Sequence, residues 1–149
     1  MSYINLVYMT EGYRGELKRV RVSEEAYEWV ISTRGRWEPV IATEDVSLKA
    51  NTIHQIEIRP IKLNPNELVI PCPVTWNCLG HLISIGRKGA PQRVEKARVF
   101  DYANFLAFRD GTIMRGDLLG VLNVFPKATI APILLRRDVE REVPPPYRA

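Results

Sequence analysis

The sequence predicts a mostly β protein, a small barrel or sandwich of short strands. Apolar and polar residues alternate with period two in short bursts, which is typical of strands with one buried face. Gly, Pro, Asn and Asp interrupt these bursts and supply turns between the strands. The 149 residues are 46% hydrophobic and 26% charged, so the composition is that of one globular domain with a real core. We therefore expect a single domain over residues 1–149.

The elements follow from this alternation in chain order. We predict strands at residues 3–9, 17–22, 37–42, 46–48, 52–59, 68–70, 81–85, 104–108, 112–114, 118–125 and 129–135. The first two are expected to pair across a turn with two glycines. The run 118–125 is the most apolar and is predicted to be the central strand. Residues 136–149, which are charged and contain three consecutive prolines, predict an extended exposed tail.

Two stretches carry less regular signals. Ser23 followed by two glutamates is typical of a helix start, whereas Tyr27, Trp29 and Ile31 alternate as in a strand. We favour the strand, and helix or strand stays open over 24–31. Pro71 and Pro73 flank Cys72, and because proline donates no ladder hydrogen bond, the preceding strand is expected to lie at a sheet edge or to end there.

Charge and cysteine content restrict the function classes. The net charge of +4 comes from 21 Lys+Arg against 17 Asp+Glu, a mild excess that tolerates an anionic partner but does not predict nucleic-acid binding. No apolar stretch reaches the roughly 20 residues of a membrane span, so no membrane partner is expected. Two cysteines, and a start without basic and apolar signal regions, predict a cytoplasmic protein.

Three segments within residues 37–128, namely 46–51, 80–86 and 115–126, resemble an archaeal family known as conserved domain of unknown function 22. The resemblance implies an archaeal, cytoplasmic, β-rich protein and supplies no activity. The turn at 115–117 and the apolar strand after it are also similar to the closing part of β-clip folds such as dUTPase. The Arg-Ser-Gly phosphate-binding motif of dUTPase is missing in this sequence. The pair Asp101-Tyr102 is only faintly similar to the dUTPase segment that holds the catalytic acid.

The best candidate binding site is the polar connection over residues 86–98. It contains two glycines and five basic residues, Arg87, Lys88, Arg93, Lys96 and Arg98. Glycines let backbone amides approach an anion, and the cations would neutralise phosphate. A solvated surface loop in which Glu95 pairs locally is the alternative.

A second candidate set consists of soft metal ligands. Cys72, Cys78, His81 and His54 are the only cysteines and histidines, but the Cys-x5-Cys-x2-His spacing is not that of a standard zinc site. We therefore predict no metal and no cofactor, with these four as the ligands if that prediction is wrong. The cysteines are otherwise expected to be small core residues.

The carboxylates and tryptophans have structural explanations. Asp110 and Asp117 are expected in turns, where their side chains accept from nearby amides, and Asp101 is the third candidate acid. Trp29, Trp37 and Trp76 are expected to fill the core or an interface. No catalytic residue is assigned.

Together these observations predict a non-catalytic, homo-oligomeric protein that binds a small anionic ligand through the loop around Arg87. Unpaired strand edges in so small a domain favour pairing between copies, most simply in a dimer. Two alternatives stay open: an enzyme that processes nucleotides or sugar phosphates with Asp101 or Asp117, and a nucleic-acid-binding protein. A pocket joining those carboxylates to Arg87 or Arg93 would favour the enzyme, and carboxylates engaged in turns would favour binding.

Overall fold

The computed structural model describes residues 2–12, 14–24, 30–32 and 35–126. The strands within these ranges are β1 Tyr3–Glu11, β2 Arg14–Ser23, β3 Val30–Ser32, β4 Gly35–Ile41, β5 Val46–Leu48, β6 Ile53–Leu63, β7 Leu68–Pro71, β8 Gly80–Gly86, β9 Arg98–Ala107, β10 Gly111–Ile113 and β11 Leu118–Phe125. The prediction of a mostly β protein is confirmed. In the same ranges no helix combines the length and apolar character needed to cross a membrane.

Two open antiparallel sheets form the body of the molecule. One has the order β3-β4-β11-β7 and the other the order β6-β9-β8. Their facing sides share the main core, in which Val40 and Leu122 of the first sheet meet Ile56, Leu82 and Phe105 of the second. The described strands form a small sandwich rather than a closed barrel.

Strand β11 is central, as its uniform apolarity predicts. It lies between β4 and β7, and seven of its eight residues are at least half-buried, with Leu122 and Val124 in the main core. Gly120 brings the two sheets together, because a Cβ at this position would lie 2.8 Å from Cβ of Leu82 on β8. The absence of a side chain at Gly120 is therefore a packing requirement between the layers.

The first two strands form the predicted hairpin. Strands β1 and β2 pair antiparallel, with Ile4 opposite Val22. The other edge of β1 contacts the body through two parallel bridges, Asn5 with Asp117 and Val7 with Asn77. Ile4 also enters a second core cluster beneath the hairpin, which contains Ile41, Cys72, Leu118 and Val121.

Several boundaries and pairings differ from the prediction. Strand β6 continues through Pro60 to Leu63, with a register irregularity between Glu57 and Ile61 that accommodates the proline. Strand β9 begins at Arg98, within the expected polar loop. The turn at Asp110 does not join paired strands, because β10 pairs with β5 whereas β9 lies between β6 and β8.

Some predictions concern residues outside the described ranges. Within the ambiguous stretch the structure describes Glu24 and the strand Val30–Ser32 but not residues 25–29, so helix or strand over 24–31 stays open. The predicted strand 129–135 and the tail 136–149 also lie outside the described residues. The edge prediction for the strand before Cys72 is confirmed, since β7 ends at Pro71 at one edge of its sheet.

Candidate functional site

The loop between β8 and β9 contains Arg87, Lys88 and Arg93. Each of these three side chains lies next to an acceptor group of the protein. Arg87 donates to a backbone carbonyl of the loop at 2.8 Å, and Lys88 Nζ lies 2.7 Å from the carboxylate of Glu57. Arg93 Nε lies 3.6 Å from the carboxylate of Glu95. The hydrogen bond to Glu57 raises the pKa of Lys88. The loop cations are therefore partly neutralised by the protein itself.

Arg98 is separated from these loop cations. It opens β9 and is only 8% exposed. Its Nη2 donates to the backbone carbonyl of Glu67, while its buried Nε has no hydrogen-bond partner among the described residues. Within the same ranges Arg98 forms no ion pair with a carboxylate. A buried guanidinium with an unused donor is energetically unfavourable unless a further acceptor reaches it.

The carboxylate of the neighbouring Glu67 is engaged elsewhere. It accepts hydrogen bonds from Arg36 and, at 2.6 Å, from the backbone amide of Asn64. Burial opposes ionisation of Glu67, but these hydrogen bonds and the positive charge of Arg98 outweigh it and lower the pKa of Glu67. The carboxylate of Glu67 is thus ionised and holds Arg36 in place. Arg98 contacts Glu67 only through a hydrogen bond to the backbone carbonyl of Glu67.

Arg98 lines a cleft of about 380 Å³ on one side of the sandwich. This volume falls within the range of small-ligand sites, roughly 300–1,000 Å³. The cleft is bounded by Leu68, Val69, Pro71, Ile83, Ser84, Ile85, Arg98, Phe100 and Leu122. Among the described residues that line it, Arg98 and Ser84 are the only ones with polar side chains, so this lining combines an apolar wall with one buried cation.

Two strand edges form the rim of this cleft. Among the described strands, β7 is an edge of the four-stranded sheet, and β8 is an edge of the three-stranded sheet. Three consecutive residues of β8, Ile83 to Ile85, line the cleft. A register irregularity between Leu82 and Ser84 interrupts the regular alternation of side chains here, which allows three consecutive residues of β8 to border the cleft.

The cysteines and histidines lie in different environments. Cys72 belongs to the second core cluster, and half-buried Cys78 packs against the main core, where burial raises the pKa of its thiol. His54 Nε2 accepts from the backbone amide of Lys49 at 3.1 Å. In the described parts of the chain, which include all four residues, no cluster of three or more potential metal ligands occurs. Both cysteines are free thiols.

Asp117 is fully buried and connects the N-terminal hairpin to the body. Its carboxylate accepts from Arg19 Nε at 2.9 Å and from Arg19 Nη2 at 2.7 Å. It also accepts from the side chain of Asn5 at 3.2 Å and from the amide of Met114 at 2.9 Å. The hydrogen bond to Asp117 raises the pKa of Arg19. This carboxylate has the predicted turn role and, in addition, a long-range one.

The other two candidate acids also accept from backbone amides. Asp110 accepts from the amide of Ala50 at 2.8 Å, and Asp101 accepts from the amide of Lys88 at 3.1 Å. Asp101 is thereby next to the basic loop, although neither it nor Asp110 lines the cleft. These hydrogen bonds tie strands to loops and give both carboxylates structural roles.

The two described tryptophans pack against each other. The rings of Trp37 and Trp76 meet edge to face with centroids 5.6 Å apart, and both contact the second core cluster. Trp37 Nε1 donates to Asn123 on the neighbouring strand at 2.9 Å. Both therefore act as core residues, as predicted. Trp29 lies outside the described residues.

The sequence predicted neither a role for Glu67 nor the presence of the cleft. The alternation of Arg98, Phe100 and Tyr102 was a usable signal that Arg98 begins a strand rather than ends a loop. The convergence of β7, β8, β9 and β11 on one cleft had no sequence signal, because it depends on which edges the two sheets leave open.

The fold and the site define a class, a small antiparallel β-sandwich protein with an apolar cleft around one buried arginine. Comparison with known proteins then gives the family. The model of the domain of unknown function DUF22 matches residues 3–111, and the chain belongs to that family. The match begins upstream of the resembling region 37–128 and ends before its third segment, 115–126.

A relative of the chain is an uncharacterised protein of Methanocaldococcus jannaschii. It is 30% identical over 105 residues, which are 70% of this chain and 80% of the relative. The comparison with solved structures found no match. The β-clip likeness of the closing part therefore stays a prediction.

Proposed function

We propose that this protein is a cytoplasmic, non-catalytic binding protein whose ligand is a small anion with an apolar group. The ligand occupies the cleft between β7 and β8 and is held by Arg98. The observation that carries the proposal is the burial of Arg98 at an apolar cleft, with an Nε that lacks a partner among the described residues.

Physical reasoning supports both halves of this ligand. A carboxylate or phosphate in the cleft supplies the negative charge that the Arg98 guanidinium lacks among the described residues, and charge-assisted bonds are the stronger class of hydrogen bond. The apolar part displaces water from walls such as Phe100 and Ile83. The proposal keeps the anionic ligand expected from the sequence and moves its site from the Arg87 loop to the cleft.

The arrangement of carboxylates supports binding rather than catalysis. Asp101 and Asp117 accept from backbone amides and, for Asp117, from Arg19. Neither lies among the residues that line the cleft with Arg98. A general acid or base must reach the reacting group of the ligand directly or through one water. The two free cysteines accord with a reducing compartment.

Calorimetric titration with octanoate tests the site, with the uncharged octanol as matched ligand. We expect octanoate to bind and octanol to bind at least about tenfold more weakly, because a hydrogen bond to a charged group contributes roughly 1.5–3 kcal/mol. The protein variants are Arg98→Gln and Arg93→Gln, of which only the first removes a cleft residue.

The outcomes separate the cleft from the loop. Loss of octanoate binding in Arg98→Gln and retention in Arg93→Gln support the cleft, and the opposite result supports the loop. The octanol comparison needs no mutation, so it still tests the requirement for a negative charge if Arg98→Gln does not fold. Equal affinity for octanoate and octanol would refute the role of Arg98.

We also propose that two copies pair through the outer edge of β2. This strand pairs only with β1 among the described residues and carries Leu17 and Val20, which are 43% and 41% exposed. Antiparallel pairing centred on Leu17 would place Glu16 opposite Lys18 of the partner subunit, and opposite charges in such pairs are favourable. Sedimentation analysis should give a dimer for the wild type and a monomer for Leu17→Lys; a monomeric wild type refutes this pairing.

A further inference from the structure

We infer that the ligand of the cleft is the carboxyl-terminal end of an extended peptide, which adds as a strand to the outer edge of β8. This inference rests on the proposed function, because it uses the same cleft and the same anchor, Arg98. It specifies a partner of stated chemistry, a peptide that ends in an apolar residue with a free carboxylate.

The first argument is the unpaired edge of β8. Within the described ranges β8 pairs only with β9, although Ile83, Ser84 and Ile85 line the cleft in sequence. An edge strand exposes unpaired amides and carbonyls that a second extended chain can satisfy. A compact aliphatic anion would leave those groups unpaired, whereas a peptide backbone matches their spacing.

The second argument distinguishes β8 from β7, the other edge at the cleft. Strand β7 has four residues and ends in Pro71, which has no amide hydrogen to donate. Strand β8 has seven residues and no proline. A register irregularity between Leu82 and Ser84 makes Ile83 a bulge residue, and such bulges commonly re-aim side chains beside binding sites.

The third argument is the position of the cation. Gly86, the last residue of β8, pairs with Tyr102 of the antiparallel β9, and Arg98 lies four residues farther along in the direction in which β8 runs. A peptide whose carboxylate meets Arg98 must therefore run parallel to β8. The buried positive charge and the terminal negative charge are complementary, and Phe100 and Leu122 offer apolar contact to the last side chain.

The experiment uses the full chain and four probes. The first is an acetylated pentapeptide of alternating threonine and valine that ends in leucine with a free carboxylate. The second has the same sequence with a carboxamide end, the third carries an N-methyl group on every backbone nitrogen, and the fourth is octanoate. Affinity is measured by calorimetry, and amide hydrogen exchange of residues 83–85 is measured with and without peptide.

We expect the free-acid peptide to bind and the carboxamide to bind at least about tenfold more weakly, because it loses the charged acceptor for Arg98. Each blocked backbone hydrogen bond should weaken binding about fivefold. Amide exchange at Ile83, Ser84 or Ile85 should slow when the free acid is bound, since the added strand covers the edge.

The remaining outcomes overturn the inference in distinguishable ways. Binding of octanoate without binding of the peptide refutes the peptide and leaves the proposed function standing, whereas binding of neither refutes both. Equal affinity for the N-methylated peptide excludes strand addition. Slow exchange of residues 83–85 before any peptide is added would mean that this chain or a second copy already covers the edge, and the inference would fail.

Discussion

The buried ion pair between Asp117 and Arg19 leads to a quantitative prediction for Asp117→Asn. The carboxylate of Asp117 is fully buried, and its two oxygens accept from Arg19, Asn5 and the amide of Met114. Asparagine keeps one acceptor oxygen and places an amino group where the other oxygen stood. That amino group would face donors of Arg19 or Met114, and the pair would lose its charge attraction.

The magnitude follows from burial and from the bonds that are lost. Breaking a fully buried pair costs roughly 3–5 kcal/mol, and the 24% exposure of the Arg19 side chain reduces this toward the lower limit. We expect Asp117→Asn to lower the free energy of unfolding by about 3 kcal/mol. For a chain of this size that corresponds to a fall in Tm of roughly 10 °C.

Thermal and urea unfolding followed by tryptophan fluorescence measure this change, and Glu57→Gln is the matched control. The Lys88–Glu57 pair has the same 2.7 Å separation as the Arg19–Asp117 pair, but its side chains are 58% and 52% exposed. We expect the control to leave the unfolding midpoint unchanged, since water screens exposed pairs. A loss below about 1 kcal/mol in Asp117→Asn, or equal effects of the two substitutions, would refute the role assigned to burial.

Three further predictions address packing and pH. Gly120→Ala should lower the free energy of unfolding by about 1–3 kcal/mol, because the added Cβ meets Leu82, and denaturant unfolding measures it; an unchanged midpoint would contradict the close approach of the sheets. Phe105→Ala should cost about 3–5 kcal/mol by the same assay, since Phe105 is fully buried, and a smaller loss would mean that the core collapses around the cavity. Because the folded state lowers the pKa of Glu67, its contribution to stability is present above the ordinary value of 4.5 and is lost as the pH falls through and below it. The stability difference between the wild type and Glu67→Gln should therefore shrink in acid, and a difference that grows would reverse the assigned sign.

Regular alternation made some elements predictable to the residue. The predicted strands 46–48 and 118–125 coincide with β5 and β11, because turn residues bound them clearly. The start of β9 was missed because Arg98 and Asp101 are charged, and charge usually indicates a loop. The pairing of the β1–β2 hairpin was predictable, but pairing between distant segments was not, since β10 pairs with β5 far upstream and such partners are chosen by tertiary packing rather than by local pattern.

The candidate site was only partly accessible from the sequence. Arg98 was identified as a binding residue, but it was grouped with Arg87 and Arg93 because they are neighbours in the chain. Arg98 differs from the paired surface cations because it is buried and donates to the backbone carbonyl of Glu67, which lies 31 positions away from Arg98 in the chain. Burial and hydrogen-bond satisfaction are properties of the folded chain, so residue type alone could not separate these arginines.

The hydrogen bond from Arg98 to the carbonyl of Glu67 joins the two layers of the molecule. Arg98 begins a strand of the three-stranded sheet, and Glu67 immediately precedes β7 of the four-stranded sheet. A ligand that draws the guanidinium of Arg98 toward itself would weaken this hydrogen bond, whereas a ligand that binds without displacing the guanidinium would leave the bond intact. The distance between the two sheets on that side would therefore depend on whether a bound ligand displaces the side chain of Arg98.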